Sequence, residues 1–319
     1  MQNRTEHFLE RRKTMNTIME DISKWPLEKR EEYIKKVFEE RMGRPLDLEN
    51  PKTFSEMLQW IKLYYCDPAM TRCVDKVIFK DYIKEKLGKD YTAKIYQIWE
   101  SAEEVDFRNI PEPCAVKSNC CSDGVNILLV TDKSQIDLEK VEKEIKENWF
   151  NRLKLHTNSF ANYYYGVKPK VYVEEFLKES DDYDVLCFHG EPKFIYAKTE
   201  HFTNGINREV GYPMSFYTTD WEYIDANYKD IPTRNDIKKP AHLNEMLEIS
   251  RKLSKDFPFV RVDFFENDGK LYVAELSFTA WAGLRPYEPD SLDYEMGKWL
   301  DIVHTAKAEY VNKIGCSTY

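Results

Sequence analysis

An α+β fold is predicted for this 319-residue chain on three observations. The first third carries apolar residues at helical spacing, with cap and stop residues in place. The rest mixes short strand patterns with isolated helices and shows no βαβ series. The densest stretch, residues 259–284 ("FVRVDFFENDGKLYVAELSFTAWAGL"), reads as a hairpin interrupted by Arg261, Asp263, Glu275 and Ser277.

The elements follow in order. "LEKREEYIKKVFEERMG" sets Leu27, Tyr33 or Ile34, and Val37 or Phe38 on one helical face, with Gly43 as a stop. Asn50-Pro51 then turns the chain. Thr53 with Glu56 three residues on is a capping-box pattern, and Leu58, Ile61 and Tyr65 form the buried stripe of that helix. A third helix is expected over 70–87, ending at Gly88. "CAVKSN" (114–119) and "VNILLV" (125–130) read as strands around a small polar loop, and a charged helix follows near 137–150. "KVYVEEFL" and "YDVLCFHGEPKFIYAKT" are strand-rich, with a turn at His189-Gly190. Residues 203–240, rich in Asn, Tyr, Pro and Thr, read as a long semi-ordered connection. Helices are expected near 241–256 and 292–312. These changes of character divide the chain into a helical region at 1–70, a first lobe at 71–170 and a second at 171–319 carrying the hairpin.

Composition excludes several classes. The length suffices for one large domain or two to three lobes. No run of about 18 apolar residues is present, so no membrane span is expected. The start lacks a secretory h-region, which points to the cytoplasm. Seven cysteines without a CxxC pair fit reduced thiols, and six histidines off ligand spacing exclude a zinc site. A net charge of -9 argues against a generic nucleic-acid binder and leaves a local basic groove as the alternative. The 21 tyrosines fit cores and lobe interfaces, with a sugar-stacking surface as the alternative.

The hairpin turns on its loop length. With Asn267-Asp268-Gly269 as a three-residue loop, Glu266 pairs with Lys270, Arg261 lies opposite Glu275, and Asp263 opposite Val273. Arg261, Asp263, Glu275 and Ser277 then share one face. Val260, Val262, Phe264, Tyr272, Ala274 and Leu276 form the other. A two-residue loop sends Asp263 and Glu275 to opposite faces. Two carboxylates about 5 Å apart repel by roughly 3 kcal/mol at an effective dielectric near 20. Arg261 offsets part of this, and a magnesium ion with hard oxygen ligands would offset the rest. Taken by spacing alone, a solvated face with an Arg–Glu pair is the simpler reading.

Three other pieces suit a polyanion. Lys117 lies in a strand that runs into a loop with Ser118, Asn119, Ser122 and Gly124, whose N–H groups can meet phosphate. Lys76 follows Asp75 at the start of the third helix. Glu174 and Glu175 end a strand that can present its main chain and one carboxylate to an adenine edge. Each alone is ordinary: a snorkelling lysine, a solvated helix face, an amphipathic strand end.

In order, Asp75-Lys76, Lys117 with its loop, "VEEFL" (173–177) and "VRVDFF…GKLYVAELS" resemble the ATP-grasp superfamily. The hairpin is similar to the metal-binding hairpin of the D-alanine–D-alanine ligases. "GRPLDLENPKTFSEMLQWIKLYYCDP", "FPFVRVDFF" and "ELSFTAWAGL" resemble the TupA-like ATP-grasp family, named for teichuronopeptide biosynthesis. The resemblance implies two α+β lobes holding ATP between them, after a helical N-terminal region. By the same resemblance, Lys76 and Lys117 contact ATP phosphates, and Ser122, Asp123 and Gly124 close over them. Glu174, Glu175, Phe176 and Leu177 hold adenine, and Asp182 reaches the ribose. Asp263, Glu275 and Ser277 ligate Mg2+. Arg261 sits at the transferred phosphoryl and acts with Lys117 in catalysis. Three departures stand out: Cys120-Cys121-Ser122-Asp123-Gly124 replaces a loop close to His-Gly-Ser-Gly-Gly, Ser277 replaces Asn, and Asp184 stands where relatives tend to have Lys.

The implied activity is ATP-dependent ligation of a carboxylate and an amine through an acyl phosphate. The implied partners are a small-molecule or saccharide carboxylate, such as a uronic acid of a capsular or other cell-surface polysaccharide or its precursor, and an amine. A kinase acting on a hydroxyl and a non-catalytic nucleotide- or glycan-binding relative are the alternatives. Oligomeric state is left open, a homodimer included.

Overall fold

The computed structural model describes residues 24–120, 126–150, 160–177, 181–198 and 213–311. Helix α1 (Leu27–Met42) buries Leu27, Ile34 and Phe38 and ends where Gly43 turns left-handed at φ 70°. Helix α2 (Phe54–Tyr64) starts in the expected capping box, Thr53 and Glu56 each bonding the other's backbone N–H.

One helix was expected over 70–87. Two form instead, α3 (Pro68–Val74) and α4 (Ile78–Leu87), because Asp75 breaks the run. Its backbone is extended, and its Oδ1 accepts from the Val77 N–H at 3.0 Å. A short polar side chain that bonds the backbone ahead of it favours a new start over continuation. Lys76 therefore sits in the break, not on a helix face.

Four strands form a small antiparallel sheet in the order β1 (Ile95–Trp99), β4 (Val171–Glu175), β2 (Cys114–Ser118) and β3 (Ile127–Val130). With α5 (Leu138–Asn148) it encloses its own core, including Trp99, Phe107, Val116, Val130, Ile145 and Val173. The break placed at 170/171 thus falls too early, since β4 completes this sheet and the chain leaves it after Glu175.

The large sheet runs β11 (Lys270–Ser277), β10 (Phe259–Asn267), β5 (Asp181–Phe188), β6 (Glu191–Lys198), β7 (Met214–Thr218) and β8 (Tyr223–Ile224). Helix α6 (Leu243–Ser254) packs on β5, β6 and β10, against the face that carries Val260, Val262 and Val185. The turn from β5 to β6 is at His189-Gly190, both with positive φ. Residues 203–212 of the connection expected over 203–240 lie outside the described residues, and strands β7, β8 and β9 (Asn227–Tyr228) interrupt the rest. The polar, tyrosine-rich composition concealed "MSFYT", in which Met214 and Phe216 point one way and Ser215 and Tyr217 the other. Strand β9 pairs with β12 (Tyr287–Glu288). The last expected helix splits into α7 (Ser291–Leu300) and α8 (Ile302–Thr305) where Asp301 turns left-handed.

Cys66 is disulfide-bonded, its partner lying outside the described residues, whereas reduced thiols were expected throughout. Cys73, Cys114, Cys120 and Cys187 are free and buried.

Candidate active site

The β10–β11 hairpin closes on two residues, Asp268-Gly269, not three. Asn267 pairs with Lys270, and both loop residues have positive φ, 49° and 72°. An Asp-Gly pair suits this turn because its twist matches the strands it joins. Such a loop alone would put Asp263 and Glu275 on opposite faces. A bulge between Asp263 and Phe264 in the pairing, with Ala274 as the extra residue, shifts the register once more. Asp263 then faces Glu275 directly, and Arg261 faces Ser277, in place of the Arg261–Glu275 and Asp263–Val273 pairs expected. The two-residue loop also changes the apolar set: Leu271 and Val273 are buried, while Tyr272 and Ala274 are only half-buried.

Pairing across the sheet extends this row. Asp263 lies beside Asp184 on β5, and Asp184 beside Tyr196 on β6. Glu275, Asp263, Asp184 and Tyr196 thus cross four strands on the face away from α6. Arg261 holds Asp263 with Nε to Oδ1 at 2.7 Å and Nη2 to Oδ2 at 2.5 Å. It also approaches Asp184 Oδ2 (3.3 Å) and donates to Ser277 Oγ (3.3 Å). Lys198, not singled out from the sequence, meets Asp184 at 2.6 Å and Asp182 at 3.1 Å.

Charge in this buried cluster is tightly constrained. Burial drives the Asp182 carboxyl well above the usual range, with Asp184 and Asp263 adding to it against the pull of Lys198. Burial also opposes ionisation of Asp184, but Arg261 and Lys198 outweigh it and hold that carboxyl low. Asp263 is pushed up to about 7 by burial, with Arg261 pulling back. Asp182 is a buried partner of Lys198.

Lysines approach from outside the large sheet, from the break between α3 and α4, from α4 and from β2. Lys76 Nζ donates to Glu275 Oε1 at 2.8 Å, joining the break between α3 and α4 to the hairpin. Its backbone N–H is fixed on Asn119 O (3.1 Å). Lys117 meets Glu174 Oε1 at 2.5 Å, and Lys80 meets Oε2 at 2.6 Å. Burial works against the Glu174 carboxylate, yet the two ammonium groups hold it ionised and its pKa low. Glu174 is therefore engaged with lysines on both oxygens. Glu175 is half-buried, with Oε2 accepting from the Lys94 N–H (3.3 Å), and Phe176 and Leu177 follow as half-buried residues. Ser122, Asp123 and Gly124 lie outside the described residues.

After Ser277 the chain makes a tight turn in which Trp281, Ala282 and Gly283 are all left-handed. Its carbonyls are held from α2: Gln59 Nε2 donates to Ala282 O (3.1 Å) and Gly283 O (2.8 Å), and Lys62 Nζ also reaches Ala282 O.

Among the described residues no three or more His, Cys, Asp or Glu gather as an ion-holding group. The set here is two carboxylates and a hydroxyl. Magnesium often takes one or two protein carboxylates and completes its shell with water and phosphate oxygens. Asp263 and Glu275, facing partners on adjacent strands, fit that donor set.

A small antiparallel sheet and a larger one that carries a row of carboxylates, preceded by helices, form the ATP-grasp fold. The chain belongs to the TupA-like ATP-grasp family, whose model matches residues 56–301. No curated protein matches it. Among solved structures it is similar to D-alanine–D-alanine ligase from Bacillus anthracis complexed with ATP, at 21% identity and TM-score 0.38, covering 65% of this chain and 55% of that one. A further structure of that Bacillus anthracis ligase matches at 19% and 0.41, covering 73% and 63%. The Helicobacter pylori D-alanine–D-alanine ligase matches at 15% and 0.42, covering 79% and 68%. The chain thus spans little more than half of the first of these and under two thirds of the second. No helix among the described residues is long and apolar enough to cross a membrane.

Proposed function

We propose that the chain is an ATP-dependent carboxylate–amine ligase. The observation that carries this reading is the Lys76–Glu275 contact, which sets a cation from the break between α3 and α4 against the carboxylate facing Asp263. ATP phosphates between the lobes would meet Lys76, Lys117 and Lys80, and Asp263 and Glu275 would hold magnesium, with Ser277 adjoining. Magnesium, when bound, neutralises phosphate charge as the γ-phosphoryl moves.

The chain's own groups do the rest by placement and charge. Arg261, fixed in position by Asp263 and Asp184, directs its remaining donor capacity toward the transferred phosphoryl. A substrate carboxylate oxygen attacks the γ-phosphorus and ADP departs, leaving an acyl phosphate. The amine then attacks the acyl carbon, loses a proton and expels phosphate. Closure of the lobes keeps water from that intermediate. The finer reading rests on the family alone: an amino acid or other small amine joined to a uronic acid of a cell-surface polysaccharide or its precursor, in the cytoplasm.

The test is a screen of carboxylate and amine pairs for phosphate release, with products read by mass spectrometry. An amide whose formation needs both partners supports the ligase. A phosphate ester formed without an amine would make the chain a kinase instead. Asp263→Asn and Glu275→Gln are each expected to abolish magnesium-dependent turnover with the fold intact by circular dichroism. Unchanged turnover in either would remove that residue from the metal set.

A further inference from the structure

We infer that Lys80 is a positioning residue for phosphate binding: it keeps Glu174 neutralised, so that Lys117 can leave that carboxylate for a nucleotide phosphate. This rests on the nucleotide reading above and sharpens the part of Lys80 within it.

The three groups come from different parts of the fold. Lys80 lies in the first turn of α4, whose Phe79, Tyr82 and Ile83 belong to the larger core. Glu174 and Lys117 lie on β4 and β2 of the small sheet. In the ladder between those strands Lys117 pairs with Tyr172, and Ala115 with Glu174, so Lys117 and Glu174 share one face. Lys117 Nζ lies 2.5 Å from one Glu174 oxygen, and Lys80 Nζ lies 2.6 Å from the other. Two cations thus share one anion.

The two lysines are held unequally. Lys80 also donates to the Ala93 carbonyl oxygen, in the segment that leads from α4 into β1, and its side chain is 14% exposed. Lys117 Nζ has no second acceptor among the described residues, and its side chain is 26% exposed. Of the pair, Lys117 is the one placed to turn toward a ligand.

Charge balance decides what that turn costs. The Glu174 side chain is only 8% exposed, and while ionised it needs a cation beside it. With Lys80 in place, Lys117 passes to phosphate and Glu174 keeps a partner. Without Lys80, the same movement leaves a buried carboxylate alone and facing a polyanion. Nucleotide would then have to compete with Glu174 for its one remaining lysine. Loss of a direct contact between Lys80 and phosphate would also weaken binding, but that loss would not depend on a carboxylate at Glu174.

The experiment is titration calorimetry on the full chain with ATP and magnesium, run as a cycle of Lys80→Met, Glu174→Gln and the double variant. Lys80→Met is expected to bind at least about tenfold more weakly than wild type, because a buried ion pair must be broken. In the Glu174→Gln background no carboxylate needs a cation, so the same change at Lys80 should cost about twofold or less. Lys80→Arg keeps the charge and should retain most of the affinity that Lys80→Met loses. Lys80→Gln, which keeps a donor for Ala93 O and drops the charge, takes its place in the cycle if Lys80→Met does not fold. Wild-type affinity in Lys80→Met, or a loss of equal size in the Glu174→Gln background, overturns the inference and leaves the nucleotide reading intact. Wild type that binds no nucleotide with magnesium present overturns both.

Discussion

Lys62 is the most constrained cation of the helical region. It lies in the last turn of α2, fully buried, with Nζ donating to Gln59 Oε1 (2.8 Å) and to Ala282 O. The carbonyl it holds belongs to the left-handed turn after the hairpin, and left-handed backbone costs roughly 1–2 kcal/mol per non-glycine residue. Burial lowers the Lys62 ammonium to about 7, against 10.5 for an ordinary lysine. Between those values the unfolded chain holds a proton that the folded chain has released. Stability must then rise with pH across that window, by up to about 1.4 kcal/mol per unit from this group, and be indifferent to it below the window. Lys62→Met keeps the aliphatic stem and removes the titration, while Gln59 still bonds Ala282 O. Urea unfolding between pH 7 and 10 should show a positive slope in wild type that is smaller in the variant. Equal slopes would mean that Lys62 stays charged in the folded state.

The packing of elements near the site depends on one close crossing. Helix α7 meets the start of α2 at Gly297, where an added Cβ would lie 2.2 Å from Lys52 O and 2.9 Å from Thr53 Cα. That backbone has little room to move, because Thr53 is the cap of α2 and Arg44 ties Glu56, Thr53 and Asp293 together at 2.7 to 2.9 Å. Gly297→Ala gains about 1 kcal/mol of helix propensity. Against that, forcing the backbones apart costs roughly 1–3 kcal/mol or more. The expected result is a net loss of up to about 2 kcal/mol in urea unfolding, and a stabilised variant would show that the crossing has slack. The same crossing shows what sequence can reveal. The capping box at Thr53 and the stop at Gly43 span four residues or fewer, so residue type alone discloses them. The site carboxylates were also legible, since charges interrupting an alternating strand are conspicuous. The turn length was not, because the Ala274 bulge and the two-residue loop each shift register by one and offset each other. Lys80 and Lys198 were hidden for a different reason. A lysine on a helix or strand has no distinguishing pattern until the fold brings it to Glu174 or Asp184.

At the scale of the molecule, two separate hydrophobic cores lie on either side of the site. One fills the small lobe, and the other joins α1 to α4 with the large sheet. Near the site they are linked by a polar contact, Lys80 of α4 to Glu174 of β4. Lobes joined mainly by polar contacts tend to melt apart. Nucleotide between them then stabilises first whichever lobe unfolds first. At a hundredfold excess over its Kd a ligand adds about 2.7 kcal/mol. Unfolding entropy is about 2.1 cal/mol/K per residue, so the whole 319-residue chain melting as one unit would shift by roughly 4 °C. A small lobe of about 80 residues melting alone would shift by more than 10 °C, its entropy being about four times smaller. The expected calorimetric trace shows two transitions without ligand. The lower one should rise by the larger amount with ATP and magnesium, and by much less with ATP and EDTA, where no divalent ion offsets the phosphate charge beside Asp263 and Glu275. A single transition moving by roughly 4 °C would mean that the polar links suffice to make the two cores one cooperative unit.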